Sequence, residues 1–409
     1  MKLNKNLLFA IPALIGFTGV QAQSKPEPGI NTSYMDKTVK PNDDFFRFVN
    51  GAWFDKTEIP SDRTRWGSFD ELRQNTDNDA LAILKEATTN PKYKSNTDQG
   101  KAVNLYRTIM DTVGRNKAGI TPLKPYLKKI DAVKNVKDLQ ALMIEMESIG
   151  GIGFFGAGVG ADAKDSNRNV VNVGLGSLGL PDRDYYVSDE ADSKEKREKY
   201  VVHVARMLQF LGEKPAVAKA NANKILALEI EMSKPRLDRV ERRDRRKTYN
   251  PMTVADLQKL TPSINWNSYL NGIGISKVDS VIVSQPKYMT SLESIFKQNK
   301  VEDWKAYMRW TLLRDASGSL STEIENANWE FYGKTLTGAV KQRPRDERAL
   351  QTINGTVGEA LGKLYVEKKF PAEAKAKAEK MIKNVFTAFE NRINNLPWMN
   401  KATKVSAIE

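Results

Sequence analysis

The sequence predicts a mainly α-helical fold with one small β-hairpin, and three observations support this prediction. Most of the 409 residues fall into stretches in which apolar positions recur at helical spacing. Alanine, leucine, lysine and glutamate, which favour helices, are common in these stretches. Only one region, near 150–178, is dominated by glycine and β-branched residues. The length fits two or three domain-sized units or one large lobed body.

Helical segments are predicted along most of the chain. In the first of them Phe69, Leu72, Leu81 and Leu84 serve as apolar anchors. Alanine-rich and leucine-rich stretches with the same spacing follow at intervals. Helices are expected at about 66–85, 98–113, 122–131, 136–149, 194–211, 215–232, 253–260, 288–298, 301–316 and 320–336.

The last part of the sequence predicts a long amphipathic helix over 372–396, followed by a short one. Pro397 ends the first helix, and Asn400 can cap the second. The second helix reaches Glu409 after about two turns without a stop signal, and so short a helix is marginal without packing partners. We therefore expect the sequence to be truncated here. The apolar side of the long helix consists of Met381, Ile382, Val385, Phe386, Phe389 and Ile393.

A two-stranded hairpin is predicted from Gly150–Gly160 and Asn169–Leu178, with turn-forming residues between them. Residues 151–156, GIGFFG, match the pattern G-x-G-x-x-G. A dinucleotide site needs a strand before this pattern and a helix after it, whereas here a helix precedes and a strand follows. The match therefore does not indicate nucleotide binding.

The first residues have the pattern of an export signal. Lys2 and Lys5 precede an apolar run, and Val20-Gln21-Ala22 resembles a cleavage site. The alternative is a membrane anchor, but the run is shorter than the roughly 20 residues that a span needs. We expect a signal peptide at 1–22, a flexible lead at 23–42 and an exported, periplasmic or extracellular protein without a stable membrane anchor. The sequence has no cysteine, so no disulfide can form.

The formal net charge of +14 permits an anionic partner, but acidic and basic residues are interleaved almost everywhere. The densest run, 238–247, has two interpretations: a phosphate-binding patch or a solvated, salt-bridged helix face. The acids Asp238, Glu241 and Asp244 recur within the run, and no aromatic residue interrupts it. The second interpretation is preferred, and no nucleic-acid partner is expected.

His203 is the only histidine. A catalytic zinc site needs two or three histidines, or histidines with a carboxylate, and the H-E-x-x-H motif supplies two from one helix face. One histidine without cysteine cannot build such a site. We therefore interpret His203 as a helix residue with a hydrogen-bonded ring and assign no metal ligand in this chain.

Four groups of motifs follow one another along the chain: DDFFRFVNGAW at 43–53 with Ile59-Pro60, RWGSFDELR at 65–73, LGLPDRDYY at 178–186, and NG at 354–355 with GKLYV at 362–366 and LPWM at 396–399. Together they resemble the neprilysin family of zinc metalloendopeptidases, peptidase family M13, which includes endothelin-converting enzymes and bacterial oligopeptidases. The resemblance covers residues 36–409. Asn50 stands where animal members carry a cysteine, and nothing matches the family's zinc helix, its glutamate ligand or its catalytic histidine.

The resemblance implies a two-lobed helical architecture enclosing a cavity, with the C-terminal catalytic lobe absent from this sequence. It implies one zinc ion and oligopeptide substrates for the complete protein, and no catalytic residue in this chain. The segment near 36–75 would belong with the catalytic lobe.

The resemblance also implies substrate-binding residues. Arg65 and Arg73 would hold the carboxylate at the C-terminal end of the substrate, which suits guanidinium groups. Phe69 and Asp70 would form part of the pocket for the residue after the scissile bond. In a helix, a spacing of eight leaves both arginines on nearly one face. The alternatives are arginines paired with Asp70 or Glu71, and a Phe69 that packs in the core.

Three functions remain open at this point. The first is the N-terminal region of an exported zinc endopeptidase, inactive by itself. The second is a non-catalytic, secreted peptide-binding protein derived from the family. The third is a binder of anionic polymers, whose affinity would fall steeply with salt.

Overall fold

The computed structural model describes residues 29–409, which fall into two compact units separated between Ile59 and Pro60. The predicted signal peptide at 1–22 and the first residues of the predicted lead lie outside the described residues. The two units are described in turn.

In the described part of the first unit, a short 3-10 turn at Thr32–Tyr34 precedes an α-helix, α1, which spans Phe45–Lys56. The Asp44 side chain caps it by accepting a hydrogen bond of 2.8 Å from the backbone N–H of Arg47. The preceding residues fold back on α1, because the backbone N–H of Asp36 donates to the carbonyl of Phe48 at 3.0 Å. The motif at 43–53 is thus largely helical, which its aromatic composition did not predict.

The second unit is mainly helical, as predicted. The helix predicted at 301–316 has those bounds, and the other predicted helices begin or end within a few residues of expectation. In chain order the helices are α2 (Ser68–Thr89), α3 (Asp98–Met110), α4 (Thr112–Ala118), α5 (Lys124–Asp131), α6 (Val136–Met146), α7 (Asp184–Val187), α8 (Ala191–Phe210), α9 (Pro215–Ser233), α10 (Arg245–Thr248), α11 (Val254–Leu260), α12 (Trp266–Gly272), α13 (Pro286–Gln298), α14 (Val301–Ala316), α15 (Thr322–Trp329), α16 (Arg345–Lys369), α17 (Ala372–Asn394) and α18 (Lys401–Ile408).

The predicted hairpin is present and belongs to a larger sheet. Strands β1 (Phe155–Asp162) and β2 (Asp165–Leu175) pair antiparallel, so the turn is shorter than expected. Two strands that the sequence did not reveal, β3 (Asn250–Thr253) and β4 (Ser280–Val283), extend the sheet in the order β1-β2-β4-β3. β4 runs parallel to β2 and antiparallel to β3. Each added strand has four residues, too few to show a clear alternation.

Two separate hydrophobic clusters hold the second unit together. The larger cluster joins the inner face of the sheet to helices α5, α6, α8, α9 and α11–α15. The smaller cluster joins α2, α3 and α16, with Leu84, Ala102 and Ile353 fully buried. The Glu325 carboxylate of α15 connects the two, because it pairs with Arg345 of α16 at 2.8 Å and with Arg348 at 3.1 Å.

The motif at 178–186 is anchored by a buried carboxylate. The backbone N–H of Gly179 donates to Glu229 of α9 at 3.0 Å, and the Tyr186 hydroxyl donates to the same side chain at 2.8 Å. Tyr200 of α8 donates a further bond at 2.8 Å. A side chain at position 179 would collide with Tyr200, since an added Cβ would lie 1.7 Å from the hydroxyl oxygen. This motif therefore positions a loop against two helices.

The basic run at 238–247 is not the continuous helix face that the sequence suggested. It forms a short 3-10 turn, Glu241–Arg243, followed by the single turn of α10. Its charges are partly paired: Arg242 contacts Asp182 at 2.6 Å, and Lys247 contacts Glu241 at 2.8 Å. The salt bridges were predicted correctly, but the helix was not, because acids at every third residue also suit turns.

Helices α17 and α18 match the prediction for the last part of the chain, and the Asn400 side chain caps α18 by accepting from the N–H of Thr403. α17 buries none of its residues, and Phe386 is 70% exposed. None of the helices within residues 29–409 is long and apolar enough to cross a bilayer.

Candidate functional site

A cavity of about 540 Å³ opens between the N-terminal end of α2, the chain after α15 and the start of α16. Two loops define its edges. The loop at 60–67 leads into α2, and the segment at 336–344 leads into α16. The two loops are joined directly, because the backbone N–H groups of Val340 and Lys341 both donate to the carbonyl of Ser61, at 3.2 and 2.9 Å.

Three of the four predicted substrate-binding residues line this cavity: Arg65, Asp70 and Arg73. Asp70 and Arg73 lie in the first two turns of α2, which begins at Ser68. Arg65 precedes the helix, so the helical-face argument for this pair is wrong. The two arginines reach one cavity because the chain turns at Gly67, whose carbonyl accepts the first bonds of the helix.

Phe69, the fourth predicted residue, does not line the cavity. Its side chain is 84% exposed, so the alternative of core packing is wrong within the described residues. Position 69 points away from the cavity although its neighbour Asp70 faces it. The structure therefore gives Phe69 no partner in the cavity and no place in either hydrophobic cluster.

The opposite wall is built around a π-helical turn, Glu330–Thr335, that continues α15. The Trp329 ring lies against the backbone of Gly333, where an added Cβ would be 2.2 Å from the indole nitrogen. Only glycine at 333 permits this contact. Such wide turns occur often at functional sites, and this one places Trp329 and Thr337 on the cavity wall.

Two arginines of the cavity are engaged in holding it together. Arg63 is only 9% exposed in its side chain and contacts Asp62 at 2.6 Å and Glu347 at 2.9 Å. It also donates to the side-chain oxygen of Gln74 on α2 at 2.6 Å. Arg348 contacts Glu325 and donates to the carbonyl of Arg343. These arginines link α2, α15 and α16 and have their charges compensated within the chain.

Four other cationic side chains of the cavity are not held by direct contacts of this kind: Arg65, Arg73, Lys341 and Arg343. The Asp77 carboxylate attracts Arg73 and Arg343 from nearby without contacting them. None of the four forms a hydrogen bond or ion pair through its side chain with any residue in 29–409. Within residues 29–409 no ion pair joins either arginine to Asp70, so that part of the predicted alternative is not observed. Asp70 is the one cavity acid not already paired with an arginine, so uncompensated positive charge exceeds negative charge here.

Burial adds to this imbalance at one position. Arg343 is half-buried, and burial lowers the pKa of its guanidinium, as does the charge of nearby Arg63. Glu347, Asp62 and Asp77 oppose that change. Burial also raises the pKa of the Asp77 carboxyl, against the attraction of Arg73. At the interior edge of the cavity, burial thus disfavours the charged form of both side chains.

Sequence reasoning missed Lys341 and Arg343 because no motif marks them. They lie in KQRPRDER at 341–348, which reads as an ordinary charged stretch. The helix that follows, α16, was also not predicted, since glycines at 355, 358 and 362 interrupt its pattern. A signal did exist: Pro344 stands directly before α16 and fixes the start of the helix.

The zinc ion implied for the complete protein does not fit the side chains that this structure describes. His203 is buried in α8, where its ring stacks on Phe331 with centroids 4.6 Å apart and meets Trp310 edge-on at 5.6 Å. Its Nε2 atom has no hydrogen-bond partner among the described residues, whereas the side chain of Asn328 interacts with the ring and opposes the fall of its pKa. Burial lowers the pKa of His203 to about 3. Within residues 29–409 no three histidine, cysteine or acidic side chains are grouped to hold a metal ion.

Comparison with known proteins places this arrangement in context. The family model described as peptidase family M13 matches residues 41–409. Endothelin-converting enzyme 1 of Mus musculus is 27% identical over 430 aligned positions, covering 98% of this chain and 55% of that protein. Neprilysin of Mus musculus is 29% identical over 408 positions, covering 92% and 53%. The chain thus spans about half the length of the curated relatives it matches.

Solved structures show the same relationship. The zinc metalloprotease ZMP1 of Mycobacterium tuberculosis, in complex with an inhibitor, superimposes with a TM-score of 0.82 at 31% identity. The match covers 93% of this chain and 57% of that one. PepO from Lactobacillus rhamnosis shares the fold with a TM-score of 0.78 at 21% identity, covering 90% and 58%.

Proposed function

The chain belongs to peptidase family M13, a family of zinc metallopeptidases, and we propose that it is the N-terminal region of an exported endopeptidase acting on oligopeptides. Its role in that protein is to hold the substrate. The basic cavity binds the peptide at its free C-terminal carboxylate, and Arg65 and Arg73 supply the contacts. Phe69 and Asp70 belong to the same substrate-binding region by resemblance.

The observation that supports this role is that neither arginine uses its side-chain hydrogen bonds within residues 29–409. A guanidinium group forms two parallel hydrogen bonds with a carboxylate, and the donors of both arginines remain available, although the Asp77 carboxylate attracts Arg73. The π-helical wall and the bond of Val340 to Ser61 fix the cavity on both sides. The cavity is therefore shaped before any ligand arrives, which reduces the ordering cost of binding.

Peptide cleavage is not proposed for this chain by itself. By resemblance, the zinc ion and the residues that bind it belong to the part of the family's proteins that this chain does not cover. We further propose that residues 1–22 are an export signal, 23–42 a lead, and 43–409 the family region. The alternative is a non-catalytic peptide-binding protein. In that case the same cavity would bind peptides, and no cleavage would follow.

The experiment measures binding of fluorescently labelled tetrapeptides to the 409-residue chain by polarisation. Each peptide is made with a free C-terminal carboxylate and as the amide. We expect the free acid to bind more tightly, and Arg65→Ala or Arg73→Ala to weaken its binding by about tenfold to a hundredfold, as a charge-assisted hydrogen bond implies. The amide should be affected much less, because it brings no carboxylate to pair. Lysine at either position should restore binding only in part.

The matched control is Arg239→Ala, which removes an exposed arginine of the basic run at 238–247. It should leave the ratio of acid to amide affinity unchanged. If the ratio stays the same in Arg65→Ala and Arg73→Ala as well, the two arginines are surface residues and the proposed role is wrong. Equal losses in all three variants, with steep salt dependence, would favour the binder of anionic polymers.

A further inference from the structure

The cavity carries more positive charge than one carboxylate requires. If Arg65 and Arg73 bind the C-terminal carboxylate, Lys341 and Arg343 still face the same space without a side-chain hydrogen bond or ion pair to any residue in 29–409. Asp70 can compensate one positive charge at most. Like charges collected at one site repel one another and weaken the fold, so their presence without internal partners indicates a ligand that brings further negative charge.

Arg343 is the more informative of the two additional cations. Its guanidinium is half-buried and lies near Arg63, a second arginine, which makes its position unfavourable. Glu347, Asp62 and Asp77 attract it from nearby, but Asp62 and Glu347 are already in contact with Arg63, at 2.6 and 2.9 Å. The Arg343 guanidinium carries five N–H donors and has no hydrogen-bond acceptor within residues 29–409. A ligand carboxylate would satisfy it.

The backbone holds Lys341 and Arg343 in place independently of any ligand. The N–H of Lys341 donates to the Ser61 carbonyl at 2.9 Å, and the Arg343 carbonyl accepts a bond from Arg348. The loop is therefore fixed at both positions while both side chains remain free. A cavity of about 540 Å³ has room for a complete amino-acid side chain beyond the terminal carboxylate.

We propose that the cavity selects oligopeptides whose last residue is acidic, with Arg343 and Lys341 binding the side-chain carboxylate of that residue. This rests on the proposed function, in which Arg65 and Arg73 bind the terminal carboxylate. Arg343 forms the principal contact because its position is fixed and partly shielded from water. Lys341, which is exposed at the rim, adds attraction without fixed geometry.

The test uses the 409-residue chain and four labelled tetrapeptides that share the sequence Ala-Ala-Phe before the last residue. The last residue is glutamate or glutamine, each with a free C-terminal carboxylate or as the amide. Affinities are measured for the unmodified chain, Arg343→Gln, Lys341→Gln and the control Arg239→Gln. Inorganic phosphate is included as a competitor, to separate a peptide site from a site for free anions.

We expect the glutamate acid to bind at least tenfold more tightly than the glutamine acid. Arg343→Gln should remove most of this preference while keeping the preference for acid over amide. Lys341→Gln should reduce it by a smaller factor, and Arg239→Gln should preserve it. Circular dichroism melts of each variant confirm that the fold is retained.

The two proposals fail in different ways. If glutamate and glutamine acids bind equally, or if Arg343→Gln leaves the preference intact, the selection proposed here is wrong although carboxylate binding by Arg65 and Arg73 stands. If acids and amides bind equally, the proposed function itself is wrong. If phosphate competes at the concentration at which the glutamate peptide binds, the cavity is a site for free anions and the peptide selection is overturned.

Discussion

Two polar groups in this protein have opposite arrangements. Around Glu229 every charged or polar atom has a partner: both carboxylate oxygens accept bonds, and the hydroxyls that donate to them accept others in turn. The backbone N–H of Leu180 donates to Tyr186 at 2.6 Å, and the Trp310 indole donates to Tyr200 at 2.7 Å. In the basic cavity, by contrast, four cationic side chains form no hydrogen bond or ion pair with any residue that the structure describes.

The difference separates two uses of polar residues. A buried polar group is tolerated when its hydrogen bonds are complete, and it then specifies a unique packing. Cationic groups without direct contacts add nothing to packing and repel each other. Their grouping is therefore explained by ligand binding and not by stability of the fold. Completed bonds therefore indicate a structural role for Glu229, and missing bonds indicate a binding role for the cavity.

The strongest test of this comparison is removal of the buried carboxylate. Glu229→Ala leaves two tyrosine hydroxyls and the N–H of Gly179 without an acceptor, and we expect the free energy of unfolding to fall by about 3 kcal/mol or more. Urea unfolding followed by circular dichroism measures this. The control Glu198→Ala removes an exposed glutamate of α8 and should change stability by less than about 0.5 kcal/mol. Similar losses in both variants would contradict a structural role for the network.

A second test uses pH and another buried ionisable group, His203. Burial lowers the pKa of His203 from 6.5 to about 3, so the unfolded chain takes up a proton below pH 6.5 while the folded chain does not. Stability is therefore present above pH 6.5 and lost as the pH falls toward 3. The expected loss from this residue is about 2 kcal/mol between pH 7 and pH 5.

The measurement compares urea unfolding of the unmodified chain and His203→Phe at the two pH values. Phenylalanine suits the aromatic surroundings of position 203 and carries no titrating group. Its stability should depend less on pH, and the difference between the two slopes isolates the histidine. Parallel pH profiles would show that His203 titrates in the folded protein as it does in the unfolded chain.

The smallest effects are expected within the cavity, where two arginines offer a matched pair. Arg63 contacts Asp62, Glu347 and Gln74, and Arg63→Gln should cost about 1–2 kcal/mol. Arg343 forms no side-chain hydrogen bond or ion pair within residues 29–409, and Arg343→Gln should leave stability unchanged within about 0.5 kcal/mol or increase it slightly. Thermal melts of the two variants provide the comparison. A loss in Arg343→Gln equal to that in Arg63→Gln would assign Arg343 a structural role.

The sequence predicts the helices well because their apolar side chains recur with a period that packing against the larger cluster requires. Helix α14, Val301–Ala316, contributes eight buried residues and was predicted with correct bounds. Helix α16 was missed because its glycines dilute the pattern, and Val357 lies at a non-helical kink in its middle. The strands β3 and β4 were missed because pairing between distant segments leaves no local signal.

The candidate site was only partly predictable for the same reason. A motif marked Arg65, Asp70 and Arg73, which lie close together in sequence. Lys341 and Arg343 are more than 260 positions further along the chain and reach the cavity through the bond between two loops at Ser61. Hydrophobic periodicity is a local pattern and does not predict contacts between two distant loops. The pairing that distinguishes Arg63 from Arg343 is likewise a property of the folded chain.

The exposed apolar side of helix α17 affects how much of this protein accumulates in a cell. The 23 residues of this helix include an apolar side on which Met381, Val385 and Phe386 are all at least half exposed. Chaperones and quality-control proteases act on surfaces of this kind, which also drive aggregation. The abundance of the chain would then be set less by its folding free energy than by how quickly another surface covers this helix.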